Sequence, residues 1–494
     1  MNRLLSFLVA AALVGCTQTT PAPTPAPVQP GAYPAPEPSA NWRATPPAPA
    51  PARPYDFPDV ERITLDNGLR VLVARTTNAP LVTVRAVVRS GAIHDSASKA
   101  GLATLMANLV DEGAGSRNAI QLAEAIGDLG ASISAGADWD ASFVNLDILR
   151  SQLPRGFEIF ADVLRSPRFD NADFERVKRE RLTSLLQQRD QANAIATNRF
   201  AQFVYAGTPY GNPMLGTEAT VGGITRNDVR NFYNRHWVPN NTSLIMAGDI
   251  DVTTARELAN RYLGAWKRGA DVPDISVSAP SIEQSRIFLV DRPAAVQSEI
   301  RVGHAGVSRS TEDYFPLITM NAILGGIFTS RLNLNLREKH GYTYGARSQF
   351  AFRRQAGPFQ ASTAVRNEVT TESVRETVGE LKRLRTGDIT GPELEFAKNY
   401  LMGVFPATVE AASQLSRRIQ ELELYGLPPD YFDQYRQRIA AVTKNDIARV
   451  AQKYVNPDRS VILVVGKASE VHGPLQALGY NVGVYDIEGR PLAQ

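Results

Sequence analysis

Ile224-Thr225-Arg226-Asn227-Asp228-Val229 and Val442-Thr443-Lys444-Asn445-Asp446-Ile447 are two copies of one segment. In each, a threonine three residues ahead of an aspartate supplies the N-cap of an amphipathic helix. Both copies run on in unbroken register, at a spacing of 218 residues, into a proline turn and an apolar strand ending on glycine. The first continuation is Trp237-Val238-Pro239 with Leu244 to Gly248; the second is Tyr454 to Pro457 with Ile462 to Gly466. Solenoid repeats run at roughly 20–50 residues. A period this long therefore indicates two tandem domains of one fold. Strand and helix signals mix within each half and tight hairpins recur, which gives an α+β class: two homologous domains, each a largely antiparallel sheet packed with helices.

Working outward, folded sequence begins near Val60. Arg62-Ile63-Thr64-Leu65 and Leu69-Arg70-Val71-Leu72-Val73 flank the hairpin signal Asp66-Asn67-Gly68. Leu81 to Val88 reads as a strand, and Leu102, Leu105, Met106, Leu109 and Val110 fall on one face of a helix. Ala119 to Leu129 and Asp173 to Gln188 are further helical stretches. The polar, proline-bearing segment 269–285 joins the halves, so the domains are placed at 59–268 and 286–494.

Ahead of them, residues 17–58 are rich in Pro and Ala and suit a polyproline spacer, extending about 3.1 Å per residue. Residues 1–16 combine Arg3, an apolar run and Leu13-Val14-Gly15-Cys16. This resembles a bacterial lipoprotein signal peptide with lipidation at Cys16, which implies a lipid-anchored, periplasm-facing protein of the cell envelope. Thr17 in place of aspartate points to the outer membrane by resemblance to lipoprotein sorting. Cys16 is the one cysteine in the sequence, so the fold rests on no disulfide. A net charge of +3, from 53 basic and 50 acidic residues, gives no footprint for nucleic acid.

A second stretch draws attention to chemistry. Gly325-Gly326-Ile327-Phe328-Thr329-Ser330-Arg331-Leu332 leads through Leu336-Arg337-Glu338-Lys339-His340-Gly341 to Tyr342-Thr343-Tyr344. It reads as a glycine turn, a helix with Leu332 and Leu336 on one face, a stop at Gly341 and a strand start. Arg337 then projects from the last helical turn and Tyr344 from the strand, with Tyr342 as packing. No Gly-Lys-Ser/Thr follows the glycine pair, so a phosphate loop gives way to a tight turn or close substrate approach. Gly325, Gly326, Ser330 and Arg331 are accordingly candidates for substrate binding. The charge run Glu175 to Arg181 reads as a solvated helix face, and Asp111-Glu112 is a weak cation candidate. The five histidines include no pair at metal-ligand spacing.

The helix Gly101 to Leu109 has its counterpart in Pro316 to Leu324. Together with Thr208-Pro209-Tyr210-Gly211-Asn212-Pro213, Gly216-Thr217 and Pro239-Asn240-Asn241 through Gly248-Asp249, it carries a resemblance spanning Val60 to about Tyr480. The chain resembles the insulinase/pitrilysin family of zinc peptidases, in the branch that includes mitochondrial processing peptidase. The resemblance implies two domains forming a clam-like cavity. It also implies His-x-x-Glu-His on the first-domain helix, where two imidazoles bind Zn²⁺ and the glutamate serves as base. Those positions here are Thr104, Ala107 and Asn108, and the family's further glutamate ligand corresponds to Ser184, with Glu175 and Glu180 nearby. No metal or other cofactor is expected in this chain.

Active members also use an arginine and a tyrosine seven residues apart across a glycine, matched by Arg337, Gly341 and Tyr344. A guanidinium can clamp a carbonyl with two donors, and a phenol can donate to an oxyanion. Members of the family occur as pairs that divide these parts. The resemblance thus implies the non-metal subunit of a heterodimeric zinc metalloendopeptidase, inactive alone, binding extended peptide or unfolded protein. Its Arg337 and Tyr344 would serve a homologous His-x-x-Glu-His subunit that holds the zinc. The alternative is a non-catalytic peptide-binding or scaffold lipoprotein.

Overall fold

The computed structural model describes residues 56–493, so Cys16, the signal segment and nearly all of the spacer lie outside the described residues. Strands run in the order β1 (Val60–Thr64), β2 (Arg70–Arg75), β3 (Leu81–Val88), the short pair β4 (Gly113–Ala114) and β5 (Arg117–Asn118), β6 (Ser132–Ala137), β7 (Ser142–Leu149) and β8 (Thr242–Gly248). Then come β9 (Arg286–Asp291), β10 (Gln297–Ala305), β11 (Ala346–Phe350), β12 (Pro358–Arg366), β13 (Val461–Gly466) and β14 (Val482–Tyr485). Two six-stranded sheets result, ordered β1-β2-β8-β3-β7-β6 and β11-β12-β10-β13-β9-β14. Pairing is mostly antiparallel, with β2–β8, β9–β13 and β9–β14 parallel.

The duplication read from the sequence is visible at the sheet centres. β8 lies between β2 and β3, and β13 lies between β9 and β10 with the same strand senses. The helices Arg226–His236 and Lys444–Tyr454 that precede them begin with matching capping boxes, Thr225 with Asp228 and Thr443 with Asp446. The copies differ at one outer strand. The first sheet is flanked there by β1, which precedes β2 in sequence, the second by β14, which follows β13.

Each sheet is covered on one face by a helix of the other half. Helix Ala412–Tyr425 lies across β3 and β8, while helix Ala192–Val204 lies across β10 and β13. Strand alternation sorts the contacts. Ile462 and Val464 of β13 join the second-half core, whereas Val461, Leu463 and Val465 pack with Ile195, Ala196, Phe200 and Val204 from the first half. The joining segment is also tied in, since Val277 belongs to that cluster. Phe57, assigned to the spacer by sequence, is buried and its ring lies 5.2 Å from that of Phe432. Its apolar side chain starts the fold ahead of the expected boundary.

Around Gly325 the elements differ from the sequence reading. Helix Tyr314–Asn321 continues into a π-helical turn, Ala322–Gly326, so the glycine pair ends a helix instead of opening one. A Cβ on Gly325 would sit 2.2 Å from the Ser348 backbone nitrogen, and its absence lets this turn pack against β11. The chain turns helical again at Arg331–Asn333 and Leu334–Lys339, and Gly341, at φ +63°, stops it as expected. Tyr344 is not in a strand. The Thr343 hydroxyl accepts the Gly345 N–H at 3.1 Å, a local turn that delays β11 until Ala346.

Candidate active site

Helix Leu102–Ala107 is six residues long and buried throughout. Gly101 starts it at φ +94°, where a Cβ would meet the Leu215 carbonyl oxygen at 2.7 Å. The Asp95 carboxylate accepts the N–H groups of Gly101 and Ala103, each at 3.0 Å. Burial pushes that carboxyl up to about 7 against the pull of these bonds.

The positions that would hold zinc are filled from the facing helix, Asn171–Gln188. Its Arg181 donates from Nη1 to Thr104 Oγ1 at 2.9 Å and to the Leu215 carbonyl at 3.4 Å. The hydrogen-bond pattern assigns the Asn108 amide with its oxygen toward Arg181 Nη2, at 3.1 Å, and its nitrogen donating to the Thr104 carbonyl. Thr104 Oγ1 also lies within donating distance of the Gly101 and Met214 carbonyls. Arg181 is 9% exposed and has no carboxylate partner among the described residues. Burial lowers its pKa from the ordinary arginine value.

These residues do not fit a divalent cation. A hydroxyl, a methyl and an amide replace two imidazoles and a base, and a guanidinium stands among them. Ser184 Oγ accepts from Gln188 Nε2 at 3.4 Å within its own helix. Arg176 pairs with Glu112, at 2.5 Å, with Glu180, at 3.1 Å, and with Asp173, at 3.5 Å, so these nearby acids already share a cationic partner. The expected solvated face for Glu175 to Arg181 is corrected at its end. Glu175, Arg179 and Glu180 face water, but Arg181 falls on the buried side with Phe174, Val177 and Leu185. That spacing of three and four residues was present in the sequence and marks Arg181 as the arginine to notice.

In the second half, Tyr344 is 93% exposed and lines a cavity of about 680 Å³ whose walls include Arg301, Arg347, Gln349 and Gln360. A cavity of about 310 Å³ shares Thr197, Gln349 and Gln360 with it and reaches Trp139, Met214 and Leu215. The last two residues give carbonyls to Thr104 and Arg181, so the second cavity adjoins both the surroundings of the filled metal position and the cleft beside Tyr344. Arg337 lies outside the walls of both cavities. Its guanidinium is 4.6 Å from the Phe328 ring centre and 3.5 Å from a Glu338 carboxylate oxygen.

Gly325, Gly326, Ser330 and Arg331 do not line this cleft either. Gly325 packs on Ser348, Ser330 is buried, and Arg331 donates to both Glu393 carboxylate oxygens at 2.7 and 2.9 Å. Their contacts are those of the fold. Tyr342, expected to pack, stacks on His340 with ring centres 4.9 Å apart.

The Thr208 to Pro213 motif clasps the halves. Tyr210 donates to one oxygen of Asp140 at 2.7 Å, and the Arg354 N–H donates to the other at 2.7 Å. Tyr205 donates to the Ala356 carbonyl at 2.7 Å. Close by in the first half, the fold brings together His94 and His236, distant in sequence, with ring centres 4.9 Å apart. Ser90 Oγ lies 3.0 Å from His236 Nδ1. Burial lowers both imidazoles, His94 to about 4 and His236 to about 3, from the ordinary histidine value of 6.5. The folded state therefore resists protons that the unfolded chain accepts. Stability from this pair is complete above about pH 6.5 and falls as the pH drops toward 4. Other buried groups such as Asp95 also titrate in this window, so the variant is compared with the wild type: from pH 7 to pH 5, His94→Leu is expected to lose about 1–2 kcal/mol less stability than the wild type in urea unfolding. An equal loss in that variant would remove the pair as its cause.

Residues 70–218 match the sequence profile of the insulinase (peptidase family M16) domain, and residues 223–401 match that of the peptidase M16 inactive domain. An uncharacterized zinc protease of Streptomyces coelicolor is 25% identical over 422 residues, 84% of this chain and 92% of that protein. A protein described as non-peptidase homolog YmxG, from Helicobacter pylori, is 21% identical over 369 residues, 74% of this chain and 85% of its own. Among solved structures, a peptidase M16 inactive domain from Pseudomonas fluorescens shares the fold with a TM-score of 0.78 at 23% identity, over 83% of this chain and 98% of that one.

Proposed function

The chain belongs to the insulinase family of peptidases, M16, and from that premise we propose that it is the non-metal subunit of a heterodimeric zinc peptidase. A homologous partner with His-x-x-Glu-His holds the metal. This chain binds extended peptide and lends Arg337 and Tyr344. The carrying observation is a contrast between the two halves: Arg181 fills the place of a cation, while Tyr344 stands 93% exposed beside a cleft. β6 is a terminal strand of its sheet, the position from which a strand can pair with an extended peptide; the outer edge of β11 is already taken by Asn321, Asn333 and the turn at Gly325. In the same proposal, lipidated Cys16 holds the pair at the periplasmic face of the envelope, with the Pro/Ala segment as spacer.

One observation favours the scaffold alternative. Arg337 is already engaged by Phe328 and Glu338 and must leave them to clamp a carbonyl. The test is peptide cleavage by the mature chain alone, by the partner alone and by the mixture, with complex formation followed by size-exclusion chromatography. Activity is expected only in the mixture, lowered about a hundredfold by Arg337→Ala and about tenfold by Tyr344→Phe. A complex that forms but cleaves equally well with both variants makes the chain a scaffold.

A further inference from the structure

A cavity of about 450 Å³ lies where the two halves meet, and it shares no wall residue with the peptide cleft. Arg62, Arg70 and Arg89 line it from the first half and Arg354 from the second; Asp274 and Glu423 are its acids. Four guanidiniums thus face two carboxylates, and both carboxylates are already engaged. Glu423 lies 3.2 Å from Arg70 Nη1 and accepts from Ser243 Oγ at 3.3 Å. Asp274 pairs closely with Arg354, which leaves Arg89 only a distant contact of 3.9 Å to the same oxygen. The Arg89 guanidinium makes no hydrogen bond among the described residues, although two-thirds of its side chain is covered. Among the described residues, Arg62 donates only to the Val60 carbonyl, at 3.0 Å.

We infer that this cavity is a binding site for a small molecule carrying at least two acidic groups, phosphate or carboxylate. Guanidiniums fixed in a concave, partly dehydrated wall are suited to bidentate capture of either group. The formal excess of two positive charges matches a dianion. Burial and the adjacent Arg354 and Arg70 depress the Arg89 pKa, so an entering anion would relieve a crowding of like charges. The volume falls within the roughly 300–1,000 Å³ of small-molecule sites and exceeds what one phosphate fills. Because its arginines come from both halves, an occupant ties the halves together and stabilises the fold. This inference does not depend on the peptidase proposal.

The test is calorimetric titration and thermal unfolding of the full mature chain with inorganic phosphate and, separately, citrate, at constant ionic strength set with sodium chloride. At least one anion is expected to bind saturably at one site and raise the melting temperature. Arg89→Ala should weaken that binding at least tenfold, and Glu423→Gln, which frees Arg70, should strengthen it. Binding by phosphate alone assigns a phosphate ligand, and by citrate alone a polycarboxylate. If Arg89→Ala fails to fold, Arg62→Ala, on an exposed residue with a single local contact, takes its place and should weaken binding severalfold. Non-saturable binding of both anions overturns the inference, as does unchanged affinity in a folded Arg89→Ala or, in its absence, Arg62→Ala protein.

Discussion

Cut between residues 268 and 269 and produced separately, the two halves are expected to fail to fold, whereas co-production should recover a soluble complex. Tandem repeats ordinarily suggest two independent domains, each with its own core. Here each sheet lacks its own cover on one face. Without helix Ala192–Val204, the second half exposes Phe288, Val290, Val461, Leu463 and Val465. Without helix Ala412–Tyr425, the first half exposes the side of β3 and β8 on which that helix lies. Aliphatic and aromatic side chains each contribute about 1.5–3 kcal/mol when fully buried. Five on one face therefore match the 5–15 kcal/mol that holds a typical domain folded. A smaller probe is Phe200→Ala, expected to cost about 3–4 kcal/mol in urea unfolding because a buried ring is lost from the junction. Cooperative unfolding of an isolated half, seen by circular dichroism and calorimetry, would show that it does not need the exchanged helix.

That exchange also marks where the sequence stops being legible. The capping boxes at Thr225 and Thr443 and the turn at Gly68 depend on neighbours a few residues away, and they were readable. The pattern of Ala192–Val204 says that one face is buried but not which sheet buries it, because amphipathicity carries no address. Tyr344 lies outside the strand that its residue type favours for a related reason. Aromatic and β-branched residues favour strands, but the bond from the Gly345 N–H to Thr343 competes with the ladder and wins locally. His94 and His236 are 142 positions apart and are neighbours only in the folded first half, and no spacing rule finds such a pair. Arg181 is intermediate. Its helical phase with Val177 and Leu185 is present in the sequence, but its partner Thr104 is set by how the two helices pack.

Arg181 also governs the second large effect. Restoring the family's ligands by Thr104→His, Ala107→Glu, Asn108→His and Ser184→Glu is expected not to restore zinc binding while Arg181 remains. Its guanidinium stands 2.9 Å from the side chain at 104 and 3.1 Å from that at 108, where a bound cation would have to sit. A dication and a guanidinium about 4 Å apart repel by roughly 8 kcal/mol at an effective dielectric of about 20. The new glutamates would offset part of this by pairing with Arg181, but each one so engaged is a ligand or base withdrawn from the metal. Adding Arg181→Ala to the same four substitutions removes the competing cation and leaves room for the imidazoles. Zinc affinity, measured by titration against a chelating indicator, is expected to rise at least a hundredfold in the fivefold variant over the fourfold one. Both proteins carry the same burden of new side chains on helix Leu102–Ala107, so their difference isolates the arginine. Tight zinc in the fourfold variant would mean that Arg181 swings out of the way, and no zinc in either would mean that the helix no longer presents a metal-binding face. The expected outcome locates the loss of metal in two separate changes, ligands removed and a cation installed, of which the second holds the site shut.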